Sequence, residues 1–379
     1  MNRFTQKIII LIMGVIFTII YCEFLIYYVV ITQCSWPTPE KTDDQSEVLK
    51  TLILTDTHLL GPRKSYWVDR WRREWQMHQA FKTIIALHEP EVVFVLGDLF
   101  DEGEFSSDQQ FHEYVYRFYK AFQVPDHIKM YIIVGNHDIG FHNNIRRGSA
   151  ERFNKLLNSP AVQFLTLKSN HFVLLNSMAM EGDSCQLCTE ARQKIDNISE
   201  ILKCFENSSQ CNKLDLMKHN YSRPILLQHF PLYRLSDGVC AEPDAPPYSE
   251  LYIPFRLKID ALSKEATEDL VFKLKPRVAF DGHTHYGCLL HHSYHNNNQN
   301  IDFFEYTVPS FSWRNIMEPK YMLVTFTPNS YAVNKCSLPR ETTIAITAVI
   351  MFSLTFFCTY RKRFLSRRIA QIKKYNLIT

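Results

Sequence analysis

The chain has 379 residues, 46% apolar and 21% charged, with a formal net charge of +3. A charge so near balance excludes a nucleic-acid binder held by phosphate contacts, and the basic residues crowd the two ends instead of forming a stripe. The length exceeds one ordinary domain and fits one large α/β domain plus membrane segments.

From the start, Ile8 to Ile31 is apolar apart from Thr18, the tyrosines, Cys22 and Glu23, long enough to cross about 30 Å of hydrocarbon. No small-x-small cleavage site closes it before Cys34, so it reads as a retained span and not a cleaved leader. A second run, Ile344 to Tyr360, is at the lower limit for a span, and Thr342 and Thr343 can extend it. Arg3 and Lys7 precede the first run; Arg361, Lys362, Arg363, Arg367, Arg368, Lys373 and Lys374 follow the second. The positive-inside rule puts both ends in the cytosol and the body between them in a lumenal or extracellular space. The predicted organisation is a cytosolic N-terminus and span over 1–33, a polar linker over 34–47, a lumenal body over 48–338, a second span over 342–360 and a basic cytosolic tail over 361–379.

Two signals agree with a lumenal body. Asn197, Asn207 and Asn220 each begin an N-x-S acceptor sequence, clustered in a polar stretch over 181–222 that reads as an exposed, glycosylated excursion. Eight cysteines lie outside the apolar runs, and an oxidising compartment makes disulfides their expected state. Cys34 and Cys336 flank the two runs on the same side and are expected to pair. Cys185-Gln-Leu-Cys188 has the spacing of a redox pair or half a zinc site; beside Cys204 and Cys211 it reads first as part of a stapled insertion.

Inside the body, five apolar runs end in polar clusters. Leu52–Leu54 leads to Asp56-Thr57-His58, Val92–Leu96 to Gly97-Asp98, Tyr131–Val134 to Gly135-Asn136-His137-Asp138, Ile225–Leu227 to Gln228-His229, and Arg277–Phe280 to Gly282-His283-Thr284-His285. Each run reads as a buried strand, and Gly282 is expected to free the backbone so that two imidazoles reach one spot. Helical patterns over 66–88, 105–122, 150–157 and 263–274 lie between strand candidates, which predicts a layered α/β domain. In open α/β sheets ligands bind beyond the carboxyl ends of the strands, so these clusters converge on one crevice. Carboxylate, imidazole and amide oxygen suit Mn, Fe or Zn, and two such ions about 3.5–4 Å apart can clamp both oxygens of a phosphoryl displacement. Asp98, on a central strand, is the natural bridge.

Asp-x-His, Gly-Asp-x-x-Asp, Gly-Asn-His-Asp, His-x-Pro and Gly-His-Thr-His together resemble the calcineurin-like metallophosphoesterase superfamily. The resemblance implies a four-layer αββα sandwich with a dinuclear centre. Asp56, His58, Asp98 and His285 would hold one ion, and Asp98, Asn136, His229 and His283 the other. It further implies that His137 assists the leaving oxygen, that Asp138 orients His137, and that Asp101 stands behind the ligands. Glu23-Phe-Leu-Ile-Tyr-Tyr, Arg73-Glu-Trp-Gln-Met, Gln228-His-Phe-Pro-Leu-Tyr-Arg and Pro309-Ser-Phe-Ser-Trp-Arg-Asn are similar to a membrane-bound branch of that superfamily, acting on GPI-anchored proteins. That likeness implies removal of ethanolamine phosphate from a mannose of the GPI glycan, with manganese as the metal. It also implies residence in the early secretory pathway, at ER exit sites, the ER–Golgi intermediate compartment or the Golgi, beside cargo receptors. Lys373 and Lys374 sit too far from the end for a terminal dilysine retrieval signal. Arg314 and Asn315 are candidate substrate contacts. A lumenal phosphomonoesterase or nucleotide phosphodiesterase is the alternative, and a non-catalytic cargo adaptor is disfavoured because no ligand position is missing.

Overall fold

The computed structural model describes residues 3–40, 47–142, 145–181, 185–206, 221–296 and 299–375. It divides into a terminal unit, Met1–Gln33 with Pro339–Thr379, and a body, Cys34–Leu338. The terminal unit begins with α1 (Arg3–Ile20), which passes through a π-helical turn at Tyr21–Leu25 into α2 (Ile26–Ile31).

The body opens with three parallel strands, β1 (Leu49–Leu54), β2 (Val92–Val95) and β3 (Lys129–Ile132), linked by α3 (Trp67–His88) and α4 (Asp108–Ala121). A one-turn α5 (Asn136–Ile139) and α6 (Arg147–Leu157) lead to β4 (Val162–Leu167) and β5 (Asn170–Leu175). Then come α7 (Gln186–Glu206), β6 (Ile225–Leu227), α8 (Tyr248–Leu251), α9 (Lys264–Leu274) and β7 (Val278–Asp281). The hairpins β8 (Cys288–Asn296)/β9 (Gln299–Thr307) and β10 (Lys320–Phe326)/β11 (Tyr331–Ser337) finish the body, and α10 (Glu341–Tyr375) returns to the terminal unit. Phe4–Ile31 and Glu341–Tyr360 are long and apolar enough to cross a membrane.

The strands form two sheets, ordered β11-β10-β1-β2-β3 and β4-β5-β6-β7-β9-β8. Alternation decides the layering. Ile53, Phe94 and Val324 on the first sheet and Phe172, Leu227 and Phe280 on the second meet in one core between the sheets. On the opposite faces, buried Phe81, Ile84 and Phe118 come from α3 and α4, while Ile195 and Val271 come from α7 and α9. The result is the four-layer αββα sandwich. Phe94 is its centre, with ring centroids 5.0 Å from Phe172 and 5.7 Å from Tyr131; truncating it to Ala costs about 3–5 kcal/mol.

Register brings the polar clusters level. Ile53 pairs with Phe94 and Phe94 with Tyr131, so three parallel strands end together; Leu227 pairs with Phe280 in the second sheet. The stretch expected to be an excursion differs. Residues 186–206 form α7, whose Cys188, Ala191, Ile195, Ile198 and Leu202 are buried, because its apolar residues recur at helical spacing. Asn197 lies on its exposed side; Asn207, Asn220 and Cys211 fall outside the described residues. The helix expected from 105 starts at Asp108, where Ser107 and Gln110 form a capping box.

Cys34 pairs with Cys336, 302 residues apart, Cys240 with Cys288, 48 apart, and Cys185 with Cys188, three apart. Loop entropy makes these bonds unequal: about 6, about 4 and about 2 kcal/mol in turn. The first two staple the body; the third adds little to its stability.

Candidate metal centre

The five clusters meet where the strands end. His58 Nε2 lies 3.5 Å from Asp56 Oδ1, 3.5 Å from Asp98 Oδ2 and 3.2 Å from His285 Nε2. On the other side of Asp98, His229 Nε2 lies 3.3 Å from the same Oδ2 and 3.1 Å from Asn136 Oδ1. His283 groups with Asp98 and His229, and His285 with Asp56 and His58. One carboxylate oxygen, Asp98 Oδ2, therefore faces two clusters of donors.

Among the described residues, Asp98 Oδ2 and Asp56 Oδ1 are buried oxygens without a hydrogen-bond partner, and His283 Nδ1 is a similar nitrogen. Such atoms cost about 1–3 kcal/mol each unless something binds them. Their partners elsewhere are fixed: Asp98 Oδ1 accepts from His137 N–H at 2.8 Å, and Asp56 Oδ2 accepts from His283 N–H at 3.0 Å and the Thr55 hydroxyl at 2.8 Å. Each carboxylate thus has one tied oxygen and one free to ligate. His229 Nδ1–H donates to the Leu96 carbonyl at 2.7 Å, which leaves Nε2 as its ligating nitrogen. The donor set, two carboxylates, four imidazoles and an amide oxygen without thiolate, fits two hard or borderline divalent ions.

Charge follows the same division. Burial opposes charge on His58, yet Asp101 and Asp56 lift its pKa to about 10. His229, also buried, is lifted by Asp98 to about 9. Burial would raise Asp98, but the charges of His229 and His137 hold it well below the carboxylate range; Asp56, likewise buried, is held at about 2 by His58 and His285. Burial keeps His283 and His285 neutral, at about 3 and about 4. Two imidazolium protons balance the buried carboxylates, and divalent ions would displace them.

The backbone that delivers these side chains is left-handed at Asp56, His58, Asp98, His283 and His285. Non-glycine residues hold that conformation only where the surroundings impose it. Gly282 does not make the turn expected of it: His283 and His285 do, with φ of 71° and 67°. What Gly282 allows is close approach, since a Cβ there would lie 2.2 Å from Thr55 Oγ1. Gly97 combines both needs, with φ of 98° and a Cβ position 2.7 Å from His229 Nδ1.

The remaining expected residues have definite neighbours. His137 stands edge-on to His58, ring centroids 4.7 Å apart, and its Nδ1–H donates to the Asp101 carbonyl at 3.1 Å. Asp138 differs from expectation: its carboxylate accepts from Phe100 and Gly135 N–H at 3.0 and 2.9 Å, so it holds the loop's backbone while the Asp101 carbonyl orients the ring. Burial and the charge of Asp98 push the Asp138 carboxyl up to about 8, against those two donors. The Asp101 carboxylate lies 3.4 Å from His58 Nδ1 and accepts from Arg314 at 3.2 and 3.3 Å, placing Arg314 at the rim. Asn315 instead donates to Ser310 Oγ, which donates to the Asp56 carbonyl at 2.8 Å; it braces the Asp56 loop. Ser310 and Thr55 are working residues that sequence alone does not single out, because nothing in a serine or threonine marks it as a brace.

A model of the calcineurin-like phosphoesterase domain matches residues 49–287. The Drosophila melanogaster metallophosphoesterase 1 homolog is 47% identical over 86% of this chain and 86% of its own. Metallophosphoesterase 1 of Ailuropoda melanoleuca is 44% identical over 89% and 84%. Among solved structures, purple acid phosphatase PPD1 from yellow lupin (Lupinus luteus) seeds aligns over 82% of this chain and 56% of its own, at 12% identity and a TM-score of 0.49. By its sequence relatives, the chain belongs to the metallophosphoesterase 1 family of calcineurin-like phosphoesterases, which are metal-dependent hydrolases of phosphoric esters.

Proposed function

We propose that this protein is a membrane-anchored phosphodiesterase that removes ethanolamine phosphate from a mannose of the GPI glycan, using two divalent ions, with manganese as the metal. The observation that carries the dinuclear reading is Asp98 Oδ2, a buried oxygen facing His58 at 3.5 Å and His229 at 3.3 Å. Asp56, His58, Asp98 and His285 would hold one ion; Asp98, Asn136, His229 and His283 the other. Bound there, the ions would supply Lewis-acid charge to the phosphoryl oxygens and activate water at neutral pH. His137, its Nδ1–H anchored on the Asp101 carbonyl, aims Nε2 at the reacting ester and gives a proton to the departing alkoxide. Arg314, paired with Asp101, adds positive charge at the rim.

The substrate reading draws on a cavity of about 430 Å³ that opens beside His283. Its wall carries Glu250, Asp260, Tyr286 and Phe255. Arg256 already neutralises Asp260, and Arg234 neutralises Asp237, which leaves Glu250, hydrogen-bonded to Tyr286, as the carboxylate able to meet an alkylammonium. An aromatic ring beside an acid suits that group. Two candidate spans, with basic residues outside both, support a lumenal body, cytosolic termini and the early secretory pathway as its site of action. GPI-anchored proteins are then its substrates, and cargo receptors its neighbours.

The detergent-solubilised full chain, loaded with manganese, should cleave a phosphodiester in preference to the matching monoester. In cells expressing Asp98→Asn in place of the native chain, GPI glycans analysed by mass spectrometry should keep an extra ethanolamine phosphate. An unchanged glycan pattern with intact diesterase activity in vitro would refute the substrate and leave the chemistry standing.

A further inference from the structure

The Cys185–Cys188 pair lies outside the phosphoesterase centre, and its surroundings are those of a reactive disulfide. We infer that Cys185–Cys188 is a thiol–disulfide exchange site that accepts the thiolate of a cysteine, from a protein segment or from glutathione.

Its context separates it from Cys34–Cys336 and Cys240–Cys288. Cys34–Cys336 and Cys240–Cys288 close long loops, and Cys336, Cys240 and Cys288 are buried. Cys185–Cys188 closes a loop of three residues, so its opening forfeits little of the stability that cross-linking gives the fold. It sits where the 21-residue α7 begins, and the Cys188 N–H donates to Cys185 Sγ at 3.0 Å. Cys-x-x-Cys at a helix start is the arrangement that stabilises a thiolate. Independently of the helix, His142 stands beside the pair, its Nδ1 3.9 Å from Cys188 Sγ and donating to the Met178 carbonyl at 2.7 Å.

The two sulfurs differ in access. Cys188 is 2% exposed, whereas Cys185 is partly open and lines a cavity of about 250 Å³. Val134, Ile139, Phe153 and Leu187 give that cavity apolar walls, a place for the side chain that neighbours an attacking cysteine. The incoming thiolate attacks Cys185 Sγ, forming a mixed disulfide as the Cys185–Cys188 bond breaks. The electron pair leaves on Cys188 Sγ, beside the His142 imidazole, whose Nδ1 lies 3.9 Å away. A second thiolate of the same class then attacks the mixed disulfide at the partner's sulfur, so two thiols are oxidised to a disulfide and the pair is reduced to a dithiol.

The full chain in detergent would be equilibrated in glutathione buffers of graded poise, alkylated and mapped by peptide mass spectrometry. Cys185–Cys188 should open at a poise at least tenfold less reducing, in the thiol-to-disulfide ratio, than is needed for Cys240–Cys288. A parallel arm uses a short peptide with one cysteine flanked by leucine; faster reaction than glutathione assigns the cavity to a protein segment, and equal rates assign the site to small thiols. In the trapping arm, Cys188→Ser should take up one glutathione from glutathione disulfide at Cys185, and Cys185→Ser should not. Opening of Cys34–Cys336, Cys185–Cys188 and Cys240–Cys288 at one poise, or both Cys185 and Cys188 reduced and holding zinc in the isolated protein, would overturn the inference.

Discussion

Replacing Asp98 by Asn tests the centre at its narrowest point. The His137 N–H fixes Oδ1 as an acceptor at 2.8 Å, so the amide oxygen must stay there. The amide NH₂ is then turned into the position of Oδ2, 3.5 Å from His58 Nε2 and 3.3 Å from His229 Nε2, where both ions are proposed to share an oxygen. Each ion loses an attractive unit charge and meets a donor. A divalent ion and a unit charge about 4 Å apart attract by about 8 kcal/mol at an effective dielectric of about 20. If desolvation of the charged group cancels three quarters, about 2 kcal/mol remains, or about 30-fold in affinity at each site. Elemental analysis after dialysis against micromolar manganese should find both ions depleted, with turnover at least 10²-fold down at limiting metal and partly restored by excess. Full occupancy of both sites with only turnover lost would refute the bridging role and make Asp98 a residue of the chemical step.

His137→Ala should keep both ions and lower turnover by about 10²–10⁴-fold, the range of a positioned acid; metal lost in proportion to activity would recast it as structural. Metal binding should release close to two protons near neutral pH, because His58 and His229 carry theirs up to about 10 and about 9 in the metal-free protein. As pH falls these protons compete harder, so affinity weakens by about tenfold per pH unit for each proton displaced. Calorimetry in buffers of different ionisation heats measures the release, and a value near zero would contradict the charge assignment. Glu250→Gln should raise KM for a phosphodiester of ethanolamine by about fivefold while leaving the ethyl analogue unchanged, on the scale of one exposed charge contact; equal effects on both would remove Glu250 from recognition.

How far the sequence reaches depends on what kind of signal each residue leaves. Leu52–Leu54, Val92–Leu96 and Ile225–Leu227 are apolar runs too short for helices, and they are strands in the structure. The hairpins β8/β9 and β10/β11 escape that reading, since strands such as Cys288–Asn296 mix histidine, serine and tyrosine with apolar residues. Residues 186–206 mislead for the opposite reason: a sequon and cysteines suggest a surface loop, yet Ile195, Ile198 and Leu202 are spaced to bury one helix face. Ligand identity is legible because imidazole and carboxylate after a strand have a chemical reason to be there. The task of Asp138 is not, since a carboxylate holding two backbone amides looks the same in sequence as one aligning a histidine.

The geometry of the centre also explains why its braces lie outside the ligand set. Five candidate ligands occupy left-handed backbone, a cost of about 1–3 kcal/mol each that local interactions cannot repay. Something behind them must therefore be rigid. Asp56 N–H donates to the Gly97 carbonyl and His58 N–H to the Asp98 carbonyl, at 3.1 and 3.0 Å, so two ligand loops hold each other. Ser310 ties the Asp56 carbonyl to the last loop, its N–H donating to the His285 carbonyl at 2.9 Å, and the Asp138 carboxylate joins Gly135 to Phe100 across a fourth. All of these bonds except that from Gly135 N–H to Asp138 connect loops that follow different strands. The strain is thus carried by the register of the sheets and not by any loop alone, which is why two-residue motifs can keep their ligands aimed at a common point while lying more than 200 residues apart, as His58 and His285 do at 227.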